Sequence, residues 1–219
     1  MGNNLLLEGL ELMGLEFSNL QLKNIEKYIK ELEMWNPSYK LVSTNGQNIT
    51  INHILDSLSG LKQIKETSAL FEKKTRIADL GSGAGLPGIP LAIGDIEDDF
   101  FLVERMKRRV TFLQNQILLC GISDHVKIIE SDLKKVENTF DIITFRAFHK
   151  ILDVLPEIDG ILSKKGVIIA YKGTLEQTKL EVDEISSLYK DKFLYEIKPL
   201  KVPFLDSERC LLIISRNEE

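Results

Sequence analysis

The chain has 219 residues, 43% of them hydrophobic and 28% charged, with a formal net charge of −5. This composition excludes a disordered or low-complexity chain, and the acidic balance excludes blanket nucleic-acid affinity while leaving room for a local basic patch. No run approaches the roughly 18 apolar residues of a membrane helix. The start, MGNNLLLEGL, lacks a basic region, carries Glu8 and has Leu6 where an N-myristoyl pattern needs Ser or Thr. The expectation is therefore a soluble cytoplasmic protein.

Residues 1–72 read as a helical cap. Leu22, Ile25, Ile29 and Leu32 recur at helical spacing, with Tyr28 and Trp35 widening the stripe. Asn36-Pro37 is expected to end that helix, because proline restricts the residue before it. A second stripe follows through Ile51, Ile54, Leu55, Leu58, Leu61 and Ile64.

Beyond Lys73 the period changes, and residues 73–219 read as an α/β body. Candidate strands at 76–80, 100–104, 126–130, 140–145 and 167–171 alternate with a glycine-rich turn into a helix and with helical stretches at 107–120 and 151–162. Continuous apolar strands between helices predict a parallel sheet covered on both faces. A further helix near 175–189 precedes two strand candidates, 193–198 and 210–215, joined through Pro199 and Pro203 and expected to close one edge as an antiparallel hairpin. Cys120 and Cys210 read as small buried residues; His53, His125 and His149 are far apart, and no Cys or His pair has metal-ligand spacing.

The stretch RIADLGSGAGLPGIPLAI, 76–93, carries the most chemistry. Asp79 stands at the end of the first body strand, followed by Gly81, Gly83 and Gly85 at alternate positions and by Pro87 and Pro90, which suit a helix start. Strand, glycine turn and helix N-terminus form a cofactor cradle. Gly83, Gly85 and Gly88 spell a G-x-G-x-x-G, but the match begins late after the strand, and a bare match is weak. Asp79 is poorly placed for a pyrophosphate and suits a cationic ligand, such as the amino-acid portion of S-adenosylmethionine. Glu104, closing the second strand, can accept from both ribose hydroxyls of NAD or S-adenosylmethionine alike. After the third strand, Asp132 or the backbone of Leu133 and Lys134 can meet an adenine; a plain surface turn is the alternative.

The fourth strand ends Thr144-Phe145-Arg146-Ala147. Methylation of exocyclic amino groups uses an Asn- or Asp-Pro-Pro-aromatic turn at this place, which is absent, and pyrimidine C5 methylation needs a cysteine nucleophile, commonly after a proline, whereas neither cysteine here follows a proline or is near this turn in sequence. An acceptor that needs no base remains, and guanine N7 fits. Arg146 is the candidate catalytic residue, able to bind phosphate, a cofactor carboxylate or the guanine O6/N7 edge; a structural ion pair is its alternative. Arg105, Lys107, Arg108 and Arg109 crowd a helix start, where positive charge opposes the macrodipole. They read as phosphate contacts that Lys172 and Arg209 extend. An NAD-dependent oxidoreductase, or a non-catalytic ribosome-binding module of the same fold, stays open on these residues alone.

Taken together, NPSYKLVS, NHILDSL, IADLGSGAGLPGIPLAI, RMKRRVTFL, FDIITFRAF, YKG and PFLDSER resemble the bacterial 16S rRNA guanine-N7 methyltransferase G family, also called glucose-inhibited division protein B. The resemblance covers nearly the whole chain. It implies a class I methyltransferase, a Rossmann-like α/β sheet using S-adenosylmethionine, that methylates one guanine N7 of 16S rRNA in the small ribosomal subunit or an assembly intermediate; no membrane partner and a monomeric state are the further expectations. It also implies Gly81, Gly83, Leu86, Leu133, Lys134 and Arg146 as cofactor positions. One departure is Lys40 and Val42, where relatives often have Asn and Thr.

Overall fold

The computed structural model describes residues 2–43, 46–95, 97–147 and 149–217, so Phe148 of the FDIITFRAF segment lies outside the described residues. The N-terminal part contains α1 (Gly2–Leu12), α2 (Asn19–Tyr39), α3 (Gln47–Ile49), a π-helical turn (Thr50–Leu55), α4 (Asp56–Leu58) and α5 (Leu61–Ser68). A capping box starts α2: Ser18 Oγ accepts from Gln21 N at 3.2 Å, and Gln21 Oε1 accepts from Ser18 N at 2.8 Å.

The expected stop at Asn36-Pro37 is not observed. Pro37 lies inside the last turn of α2, which runs on to Tyr39. Near a C-terminus a proline costs only one helix bond. Trp35, edge-on to Tyr39 at 4.6 Å and to Phe112 at 5.5 Å, fastens this turn to the body. The helix ends on Lys40 in the left-handed region (φ 51, ψ 51), its N–H donating to Asn36 O at 2.8 Å. A lysine there is strained, whereas Asn and Gly enter this region readily. Lys40→Gly is expected to stabilise the protein by about 1 kcal/mol, read as a rise of roughly 2–4 °C in thermal midpoint. No rise would mean that the strain is already relieved by the surrounding loop.

The second apolar stripe is also not one helix. It is divided between the π-turn, α4 and α5, with the break at Gly60. A Cβ there would lie 2.2 Å from the Tyr171 hydroxyl, so only glycine lets this segment approach the sheet so closely.

The body contains β1 (Arg76–Leu80), α6 (Gly88–Gly94), β2 (Asp99–Glu104), α7 (Lys107–Leu119), β3 (Val126–Glu130), β4 (Phe140–Arg146), α8 (Ile151–Ile161), β5 (Leu162–Lys172), α9 (Leu175–Tyr189), β6 (Phe193–Leu200) and β7 (Arg209–Arg216). The seven strands are ordered β3-β2-β1-β4-β5-β7-β6. The first five run parallel, and β7 runs antiparallel to both β5 and β6. The α/β class with a C-terminal hairpin is thus observed. β5 starts earlier than the apolar run at 167–171, beyond a register shift at Phe140/Ile142.

Alternation along the strands splits the interior into two layers. Ile77, Phe100, Leu102 and Ile142 pack with α1, α2 and α5–α7; Ala78, Phe101, Val103 and Ile143 pack with α8 and α9. Leu6, Leu10, Ile25, Tyr28 and Leu32 therefore share one apolar cluster with the sheet. Among the described residues no helix is long and apolar enough to cross a membrane. The order reverses between β1 and β4, which opens a crevice at the carboxyl ends of the strands.

Candidate functional site

Two cavities open along that crevice. The first, of about 560 Å³, is lined by Gly81, Glu104, Arg105, Arg109, Asp132, Leu133 and Lys134 among others. Its floor is the turn after β1, where Gly81, Gly83 and Gly85 all have positive φ. Gly81 N and Ser82 N both donate to Val103 O, at 2.9 and 3.1 Å, which ties the turn to the end of β2. Glu104 is buried at that end. Its Oε2 accepts from Gly83 N at 2.9 Å and its Oε1 from Met106 N at 2.8 Å, while Arg109 Nη1 stands 3.6 Å from Oε2. From below, Tyr28 of α2 donates its hydroxyl to Ala84 O at 2.6 Å, so the N-terminal helices hold the turn in place.

Asp79 lies behind the glycines, 1% exposed. Its Oδ2 accepts from Gly88 N at the start of α6, at 3.1 Å, and its Oδ1 is buried without a hydrogen-bond partner. Burial pushes the carboxyl up to about 7; the Gly88 hydrogen bond and the Arg146 charge act in the opposite direction but do not win. Asp79, like Gly83 and Leu86, lines neither cavity, the first cavity's lining beginning one residue on at Leu80 and Gly81; a buried acceptor with an empty valence at that depth suits a cationic donor.

Of the other positions singled out in the sequence, Leu86 is buried in the apolar cluster and contributes its amide, bonded to Ser82 O at 3.1 Å. Asp132 Oδ1 caps a short 3-10 turn through Lys134 N at 3.2 Å. Lys107 and Arg108 line neither of the two cavities. Arg108 lies over the Tyr39 ring at 4.3 Å and donates to Ser38 O, on the outer flank beside the first cavity's arginines.

Arg146, Lys172 and Arg209 line a second cavity of about 740 Å³. Ala147 and His149 line both cavities and so form the wall between them. Ala147 has φ 50, a strained conformation for a residue with a side chain, and it turns the chain sharply after Arg146. The Arg146 guanidinium is not free-standing. Nη1 donates to Asp56 Oδ2 at 2.7 Å and to Asn52 O at 2.9 Å, and Nη2 lies 3.0 Å from His53 Nδ1. Burial, followed by the Arg146 charge, lowers His53 to about 4, so the imidazole is neutral at neutral pH and Nδ1 accepts. Arg209 Nε lies 3.2 Å from Asp56 Oδ1, though that oxygen has no well-aligned hydrogen bond. Lys172 pairs with Glu181 at 2.6 Å, both groups being mostly buried.

In the sequence, Asn52, His53 and Asp56 stand out only within NHILDSL and carry no assigned role in the site. The available signal was Asp56 itself, an acid flanked by Leu55 and Leu58 in an otherwise apolar stripe. Among the described residues no group of three or more His, Cys, Asp or Glu side chains could hold a metal ion, and Cys120 and Cys210 are both buried and free.

Comparison with known proteins bears on the whole arrangement. Residues 21–212 match the family model described as rRNA small subunit methyltransferase G. The ribosomal RNA small subunit methyltransferase G of Treponema denticola is 34% identical, over 99% of this chain and 95% of the relative. That of Nitrosococcus oceani is 32% identical over 97% and 94%. Among solved structures, a putative O-methyltransferase from Klebsiella pneumoniae superposes with a TM-score of 0.59 at 12% identity, covering 87% of this chain and 90% of that one. The plantazolicin methyltransferase BpumL superposes with a TM-score of 0.58 at 14% identity, covering 91% and 100%. At such identities the structural likeness concerns the fold alone.

Proposed function

Since the chain belongs to the rRNA small subunit methyltransferase G family, we propose that it transfers the methyl group of S-adenosylmethionine to N7 of one guanine in 16S rRNA. The observation that carries this reading is the pair of cavities meeting at Ala147 and His149. One is built like a nucleoside cradle and the other is walled by guanidinium groups. The first fits the cofactor by its own chemistry: Asp79 offers a buried empty acceptor to an ammonium group, Glu104 a carboxylate to a ribose diol, and the Asp132–Lys134 turn backbone groups to an adenine. Bound there, S-adenosylmethionine supplies a methyl group on a sulfonium, and its displacement leaves S-adenosylhomocysteine.

The chain's own residues then have modest chemical work to do. Guanine N7 carries a lone pair and no proton, so the site needs no general base. Its task is to hold the acceptor in line and exclude water. Arg146 and Arg209 face the acceptor cavity, where they can bind the guanine O6 edge or the nucleotide phosphate. Arg105 at the first cavity and Lys107 and Arg108 outside it serve as phosphate contacts, and Lys172, in the second cavity's wall, does so only by sharing its charge with Glu181. Arg109, close to Glu104, belongs to the cofactor side. On this reading the protein acts in the cytoplasm, as a monomer, on the small subunit or an assembly intermediate.

Labelled S-adenosylmethionine and small subunits from cells lacking this protein provide the test. Label is expected on one guanine N7 of 16S rRNA; label on any other atom overturns the assignment.

The buried Asp79 adds a pH dependence. An unfolded aspartate ionises near pH 4, but this one ionises at about 7. Between those values the folded protein binds more protons than the unfolded chain, so the unliganded protein loses stability as pH rises from about 4 to about 7. A cationic ligand selects the ionised form. Affinity for S-adenosylhomocysteine is therefore expected to improve about tenfold from pH 6 to pH 8, measured by calorimetry. Asp79→Asn should bind weakly and show no such slope; a slope that survives the substitution would place its origin elsewhere.

A further inference from the structure

The second cavity holds an uneven set of charges. Arg146 comes from the end of β4 and Arg209 from the start of β7, and among the described residues Asp56 is the one carboxylate paired with either. Two guanidinium groups therefore face one carboxylate, with the neutral His53 adding no charge. The segment that supplies Asp56 is unusual. Its wide π-turn sets Asn52 O, His53 Nδ1 and Asp56 Oδ2 around a single guanidinium, leaving Asp56 Oδ1 directed at the other. π-Helical turns are rare, and they concentrate at functional sites. Attaching this segment to the sheet does not require the carboxylate, because Leu55 and Leu58 are fully buried and Tyr171 Oη donates to Ser57 O at 2.5 Å.

We propose that Asp56 is a positioning residue for methyl transfer: its buried carboxylate holds Arg146 and Arg209 at a fixed spacing along the acceptor cavity, and the surplus positive charge receives the phosphate or the electron-rich edge of the incoming guanine nucleotide. The proposal rests on the methyl-transfer reading above. It differs from a purely structural role in one respect, that Asp56 acts on the reaction through Arg209 and Arg146 and not through the cofactor.

The test is a double-mutant cycle with Asp56→Asn, Arg209→Ala and the combination. The readout is kcat on small subunits at saturating cofactor, per site able to bind S-adenosylhomocysteine. Asp56→Asn is expected to lower kcat roughly thirtyfold while changing the Kd for S-adenosylhomocysteine less than about threefold, because the glycine turn and Glu104 are untouched. In the Arg209→Ala background the same substitution should cost clearly less than in the wild type, since one of the two arginines it positions is gone and only the Arg146 share of the loss remains. Wild-type kcat in Asp56→Asn, or losses that multiply, would overturn the proposal. If Asp56→Asn binds no S-adenosylhomocysteine, Asp56→Glu carries the same cycle: it keeps the charge and displaces it by one methylene, and its loss too must shrink in the Arg209→Ala background. A wild-type chain that labels no RNA would sink both readings; one that labels RNA while the losses multiply would sink this one alone.

Discussion

Arg146→Ala is expected to lower kcat at least about a hundredfold and, separately, to lower the thermal midpoint by roughly 6–12 °C. The two effects have different origins. The first is loss of the guanidinium beside the wall that separates the cavities, where a fixed positive group acts in a partly dry site. The second is the orphaning of Asp56, whose side chain is 4% exposed and would keep only Arg209 at 3.2 Å. Removing one partner of a buried pair costs about 3–5 kcal/mol, and the surviving arginine sets the expectation near about 3 kcal/mol, at the lower end of that range. Calorimetry gives the midpoint, and single-turnover labelling of 16S rRNA well below that midpoint gives the rate. Arg146→Lys separates the effects. It keeps the charge beside Asp56 but cannot reach Asn52 O and His53 Nδ1 with a planar fork, so it should recover most of the midpoint and little of the rate. An Arg146→Ala protein with a native rate would remove Arg146 from the reaction; one with a native midpoint would refute the buried-pair argument.

Gly88→Ala should weaken S-adenosylhomocysteine binding at least about tenfold and destabilise the fold by about 1–3 kcal/mol. A Cβ at this position would stand 2.5 Å from Leu102 Cδ2, 2.7 Å from Asp79 Oδ2 and 3.0 Å from Asp79 Cβ. Either α6 lifts from the sheet or Asp79 moves, and in both cases the Gly88 N to Asp79 Oδ2 bond is lost. Gly83 makes the useful contrast. A Cβ there meets nothing nearer than 3.6 Å, so its constraint is the φ of +58 and the charge around it rather than space. Gly83→Ala should therefore bind with a modest loss, whereas Gly83→Asp, setting a second carboxylate beside Glu104 and the cofactor, should abolish binding. Calorimetric titration reads all three. Equal affinities for Gly83→Asp and wild type would place the cofactor elsewhere.

How much of this was legible in the chain follows from the range of the contacts involved. The strands were readable because apolar runs such as those at 76–80 and 100–104 report burial on both faces, and the hairpin because Pro203 marks its loop; Pro199, expected in that loop, instead lies in β6 opposite Cys210, where an edge strand tolerates a missing N–H. The cofactor turn was readable because its acid, glycines and prolines are neighbours in sequence. The passage from α2 to α5 was not. A proline in a last helical turn, a π-turn and a glycine set by Tyr171 are decided by packing against residues far along the chain, and an apolar stripe does not record them. The same holds for the second cavity. Arg146 was recognisable as a group of interest, but its partners, more than 90 residues away in sequence for Asn52 and His53, exist only once the sheet has formed.

The reversed direction of β7 has a consequence for how such a site diversifies. Ligands of a parallel sheet gather where strands end, yet Arg209 reaches the crevice because β7 begins there. The segment that precedes this strand, 201–208, thereby becomes part of the rim of the second cavity, with Leu205 and Ser207 in its wall. The first cavity's lining runs from Leu80 to Lys134 and is completed by Ala147, His149 and three residues of α8, Asp153, Val154 and Glu157. The second cavity's wall draws on five separate segments, at Ser43, at 52–56, at Arg146, Ala147 and His149, at 171–173 and at 205–209, the last of them following the edge strand β6 and leading into its inner neighbour β7. Lengthening or rewriting that last segment is therefore expected to reshape the second cavity while leaving the first untouched, because no residue of 201–209 lines the first.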